Sequence, residues 1–162
     1  MTLHTQTLLS ISLRRNRFGF AVFRHGELRS FAVKTFNGEM TRIERKRAFL
    51  SLLDQLASAH RVSVVLVPRL NAQQRRSSDL RYLHAAVLRA CIHHKLTVRV
   101  QDPLQVRRQI CDTDRPTKQN VLSQLIRKYP ELSRFTRSGA EWERAYYQHV
   151  IEAIAGGVAY AV

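Results

Sequence analysis

The chain has 162 residues and carries 27 Lys+Arg against 12 Asp+Glu, a formal charge of +15 with histidine neutral. This length predicts one domain over residues 1–162 with room for a sizeable core. No apolar run approaches the roughly 18 residues of a membrane span, and two cysteines exclude a disulfide framework. Charge excess on this scale costs self-repulsion unless a polyanion offsets it, and arginine, which grips phosphate with two parallel donors, dominates it. The expected partner is therefore nucleic acid. No helix has the basic amphipathic face that would suit a membrane surface, and reduced thiols fit a cytoplasmic location.

The segment TLLSISL puts Leu9, Ile11 and Leu13 on one side and Ser10 and Ser12 on the other, which predicts a strand rather than a signal peptide. RFGFAVFR and ELRSFAVKTF predict two more strands, joined by a tight turn at Gly26. Residues 40–59 set Ile43, Phe49, Leu52, Leu53 and Leu56 at helical spacing. RVSVVLVP is apolar throughout, as in a strand covered on both faces. A helix follows over SSDLRYLHAAVLRACIHH, capped by Ser77 or Ser78. LTVRVQ alternates again. Pro103 opens a short helix, Thr117 caps another whose buried face is Val121, Leu122, Leu125 and Ile126, and Pro130 ends it. The last helix covers SGAEWERAYYQHVIEAIAGGVAYAV. Three strands followed by helix–strand alternation give a mixed sheet with helices on both faces.

Generic chemical signatures are missing: there is no phosphate loop, dinucleotide fingerprint, nucleophile elbow or HExxH. Cys91, His93 and His94 lack a second ligand pair at zinc spacing. Asp112 and Asp114 lack the glycine turn and distal glutamate of a calcium loop, so turn and cap duty is expected of them.

Three stretches, in the same order, resemble the RuvC family of Holliday-junction resolvases. DPLQVRRQICDTDRPTKQNVLSQLI is similar to that family's segment after the fifth strand, with Pro103, Gln105, Val106, Arg107, Lys118 and Val121 at the matching places. HVIEAIAGGVAYA is similar to its last helix, which carries two metal-site residues three apart. LLSISLRRNRFGFAVF resembles its first hairpin, with Gly19 at a family glycine. The resemblance implies an α/β, RNase H-like (RuvC-like) mixed five-stranded sheet with helices on both faces. It also implies that His149 and Glu152 occupy the positions of the last two metal-site residues.

Two further carboxylates of that family have no counterpart. Ser12 stands at the place of the first-strand Asp, and Val67 or Pro68 at that of the fourth-strand Glu. One carboxylate, one imidazole and neighbouring guanidiniums have the wrong charge for two dications. The same guanidiniums suit a phosphate. The expectation is a binder of branched or double-stranded DNA, favoured over RNA by the resemblance, which has lost two-metal cleavage. Arg14, Arg15, Arg17, Arg69, Arg75, Arg76, Arg107, Arg108 and Lys118 are the expected phosphate contacts, whereas 42–47 reads equally well as a solvated face. Tyr82, Trp142, Tyr146 and Tyr147 read as core or dimer contacts ahead of base-stacking platforms. No cofactor is expected. Magnesium or manganese enters only in the alternative of an endonuclease rebuilt on His149, Glu152 and Asp102. A second alternative is a scaffold protein of a nucleoprotein assembly. The resolvase family is dimeric, and a homodimer through the Leu80–Cys91 helix is compatible with the resemblance.

Overall fold

In the computed structural model the described residues are 6–136 and 141–161, with side chains over 6–135 and 147–161. Strands β1 (Thr7–Leu13), β2 (Arg17–Arg24) and β3 (Glu27–Thr35) form an antiparallel meander, turned at His25 and Gly26, which both have positive φ. Strands β4 (Val64–Pro68) and β5 (Thr97–Gln101) add in parallel on the other side of β1, giving the order β3-β2-β1-β4-β5.

Helix α1 (Arg42–His60) and helix α2 (Ser78–His93) supply the residues that pack with Leu9, Ile11, Leu13, Val65 and Val67 on one face. Helices α3 (Pro103–Cys111), α4 (Lys118–Lys128) and α5 (Glu141–Ala161) cover the other, where Leu8, Val64 and Leu66 meet Val106, Val121, Leu125, Val150 and Ile154. The two-residue period of β1 and β4 thus splits their apolar side chains between two cores. Both strands are central, so side chains on both faces are covered.

Caps fix the helix starts. Thr41 and Glu44 form a reciprocal capping box on α1, Ser77 caps α2, and Thr117 caps α4. Asp102 caps α3 through the Leu104 amide at 2.9 Å, with Pro103 at its first turn. Asp112 is the left-handed C-cap of α3, and the Asp114 carbonyl accepts Arg108 Nε at 3.2 Å, so these two acids serve the turn.

The inward stripe of α1 differs from the expected one. Ile43 is 54% exposed, and Arg45 is buried in its place with Phe49, Leu53 and Leu56. Arg45 can enter because its guanidinium finds the Gly38 and Met40 carbonyls and lies 3.8 Å from Asp79. The cationic stretch 42–47 is therefore not simply a solvated face. On α2, Leu80, Leu83, Val87 and Cys91 point into the chain's own core. Burial pushes the Cys91 thiol up to about 11, which leaves it unreactive. No helix among the described residues is long and apolar enough to cross a membrane.

Candidate functional site

At the end of β1, the run Ser12-Leu13-Arg14 meets the middle of α5. Ser12 is buried among neighbours of the sheet, yet its hydroxyl donates to Glu152 Oε2 at 2.9 Å. Arg14 Nη2 spans both oxygens of the same carboxylate, at 3.1 and 3.3 Å, while its Nη1 donates to the Leu13 carbonyl at 2.9 Å. Gln148, one helical turn before Glu152, donates to Oε1 at 3.2 Å. Three side chains of this protein therefore occupy the carboxylate. The Arg14 and Glu152 side chains are about 30% exposed. Their ion pair is worth on the order of 1 kcal/mol or less to stability, and its main effect is to fix the guanidinium.

α5 reaches this depth because β2 carries a glycine, with no side chain, beneath His149. Gly19 is the register partner of Ser12, and a Cβ there would stand 2.8 Å from the His149 carbonyl oxygen. A Cβ on Gly156 would meet Ser10 Oγ at 2.7 Å, and Gln101 Nε2 donates to the Gly156 carbonyl at 3.1 Å. His149 is 8% exposed, and among the described residues its Nδ1 has no hydrogen-bond partner. Burial pushes its pKa down to about 4, helped by the positive charges of Arg14, Arg17 and Lys118 and opposed by Glu152. The imidazole is neutral at physiological pH.

Beside Glu152 lies a cavity of about 110 Å3. Its lining brings together Arg14 from β1, Arg69 beyond β4, Arg107 from α3 and Lys118 at the start of α4. Among the described lining residues Glu152 is the one carboxylate facing those four cations. Asn71, Gln74, Gln101 and Gln148 add amide donors.

The other expected contacts are scattered. Arg15 turns away to Asp79 on α2, at 3.2 Å. Arg75 and Arg76 are exposed on a 3-10 turn whose neighbour Gln74 lines the cavity. Arg108 is exposed and held by Asp114. Arg17 opens β2 and acts on His149 by its charge. Of the two fourth-strand positions, Pro68 lines the cavity, whereas Val67 is fully buried in the α1–α2 core and cannot face Glu152. Tyr147 stacks on Phe135 at 4.4 Å between centroids, and Tyr82 carries the Arg42 and Lys46 cations over its ring. Trp142 and Tyr146 lie outside the described side chains. Sequence reasoning missed the site amides Asn71, Gln74, Gln101 and Gln148, of which Gln148 alone bonds Glu152. For Gln148 the spacing of four from Glu152 was the available signal.

As a ligand set for two divalent ions these residues do not fit. Glu152 is neutralised by Arg14, Ser12 brings no charge, Pro68 has no donor side chain, and Asp102 is committed to a helix cap. Among the described residues no three His, Cys, Asp or Glu side chains converge as a metal group. The arrangement suits an anion: four cations converge on a small cavity whose single carboxylate is already tied down.

Solved structures share this architecture. Thermus thermophilus RuvC superposes with a TM-score of 0.74 at 16% identity, over 96% of this chain and 93% of its own. The same protein in complex with a Holliday junction substrate gives 0.74 at 18% identity, over 96% and 92%. The yeast mitochondrial Holliday junction resolvase Ydc2 gives 0.68 at 13% identity, over 96% and 78%. The chain therefore has the RuvC-type, RNase H-like fold. No protein-family model matches it, and a search of the curated proteins finds no match.

Proposed function

We propose that this protein binds the phosphate backbone of double-stranded or branched DNA in the cavity beside Glu152, and that it does so without two-metal cleavage. The observation that carries the reading is the state of that carboxylate. Ser12, Arg14 and Gln148 hold it where the resemblance implies metal ligands, and Arg69, Arg107 and Lys118 share the cavity with them. A site that must offset about four ionic charges needs several carboxylates within a few ångströms. This one presents a net excess of positive charge to its opening.

Contacts of this kind fix register on the backbone and carry no base information. Selectivity then comes from the shape of the nucleic acid. Branched DNA is the favoured ligand because RuvC, whose fold this chain shares, has been solved with a Holliday junction substrate. The test is fluorescence anisotropy on a four-way junction, a linear duplex and an RNA duplex across a salt series. Four to eight engaged phosphates predict a log K against log salt slope of roughly −4 to −7 on duplex DNA, with the junction bound tightest. A slope near zero would overturn the nucleic-acid reading. Tighter binding to the RNA duplex would overturn the choice of DNA.

A further inference from the structure

Arg14 and Arg15 are neighbours in the chain but are anchored in different helical layers. Arg14 reaches Glu152 on α5, and Arg15 reaches Asp79 in the first turn of α2. Asp79 is the hub of a second cationic cluster. Its Oδ1 accepts Arg42 Nη2 at 2.8 Å and Arg42 Nε at 2.9 Å, its Oδ2 pairs with Arg15 Nε at 3.2 Å, and Arg45 Nη1 lies 3.8 Å from Oδ2. Arg42 Nη2 also donates to Ser78 Oγ at 3.0 Å. Lys46 extends the cluster over the Tyr82 ring. The arginines hold the Asp79 carboxyl below its usual range, so it stays ionised.

Three guanidiniums against one carboxylate exceed what is needed to neutralise it. One of them, Arg45, is buried with its Nε unpartnered among the described residues, and a buried guanidinium depends on its carboxylate partner to stay there. Arg15 and Arg42 are different: their side chains are 60% and 46% exposed. Arg15 commits Nε to Asp79, and among the described residues its two Nη groups have no partner. A guanidinium tethered by one edge offers the other to a second anion, and its ordering entropy is already spent.

We propose that Arg15 and Arg42, fixed by Asp79, form a second backbone-phosphate contact on the α1–α2 side of the sheet, separate from the Glu152 cavity. The inference rests on the nucleic-acid reading above and extends it to a surface spanning both layers. Consecutive Cα atoms are about 3.8 Å apart, so Arg14 and Arg15 root the two contacts at one point of the chain, and the proposed arrangement has one bound DNA engage both.

The test is the salt dependence of four-way junction binding for the full chain. Arg15→Ala should reduce the slope by about 0.9, and Arg15→Ala with Arg42→Ala by about 1.8. The control pair Arg29→Ala with Arg61→Ala, two exposed arginines outside both clusters, should leave the slope unchanged. Arg15→Ala alters a mostly exposed side chain, and unchanged thermal melting would show that it folds. Equal losses in the control pair would overturn the proposal in favour of bulk charge. No loss in the Arg15 variants, with Arg107→Ala still weakening binding, would overturn this contact and leave the cavity reading intact. Wild-type binding with no salt dependence would overturn both.

Discussion

The hydroxyl of Ser12 donates to the carboxylate of Glu152 at 2.9 Å, joining the first strand to the last helix across the site. With Arg14 bridging the same carboxylate, the only acid among the cavity's described lining residues is a fixed anchor for a guanidinium.

Glu152→Gln should therefore strengthen DNA binding. The amide is isosteric and can still accept from Ser12, while one negative charge facing four cations is removed. At an effective dielectric near water's the gain is roughly 0.5–1 kcal/mol, about two- to fivefold in affinity. Junction titration by anisotropy checks this, and weaker binding would mean that the carboxylate meets the ligand through something other than repulsion.

Arg107 and Arg108 should separate, although they are adjacent. Arg107 lines the cavity, whereas Arg108 is exposed and bonded to the Asp114 carbonyl. Arg107→Ala should reduce the salt slope by about 0.9 and weaken all sequences alike. Arg108→Ala should leave the slope unchanged. The same salt series on two unrelated duplex sequences distinguishes them.

Gly19→Ala should loosen α5 from the sheet. The new Cβ would meet the His149 carbonyl oxygen at 2.8 Å, and backbone cannot swing aside as a side chain can. Overpacking of this kind costs about 1–3 kcal/mol. Gly38→Ala is the contrast, because its nearest neighbour is Asn16 Nδ2 at an ordinary 3.5 Å. Chemical denaturation of both variants should show a loss only for the first.

His149 makes stability fall on mild acidification. Its pKa drops from 6.5 in the unfolded chain to about 4 in the fold. Between those values the unfolded state binds the extra proton, so stability is complete above about pH 6.5 and declines as pH falls toward 4. The full contribution is on the order of 3 kcal/mol. Asp79, whose pKa is lowered from 3.8, loses its contribution only below that window. Guanidinium unfolding at pH 7 and pH 4.5 should show the decline in wild type and a flatter profile in His149→Leu.

Much of the architecture was legible because single residues carry clear signals. Thr117, Pro103 and the His25–Gly26 turn mark boundaries, and the Leu9-Ile11-Leu13 alternation gives the face of β1. The resemblance put Ser12 and Glu152 at positions of one site, but the hydrogen bond between them was legible neither in periodicity nor in that resemblance and is a finding of the structure. Hydropathy misjudged α1, placing Ile43 inside and Arg45 outside. Only the tertiary position of Asp79 and two loop carbonyls makes a buried guanidinium tolerable. Val67 and Pro68 could not be separated on the sequence, since a one-residue uncertainty in strand register exchanges the two faces.

The central claim, a phosphate-binding site in place of a metal-dependent nuclease site, is tested most directly by gel-resolved nicking of a labelled four-way junction. Wild type and Glu152→Ala are incubated side by side with magnesium and with manganese, at a protein concentration shown by anisotropy to saturate the junction. The account predicts a fully bound, uncut junction in both lanes with either ion. Cleavage by wild type that disappears in Glu152→Ala would contradict it and make Glu152 part of a working catalytic centre.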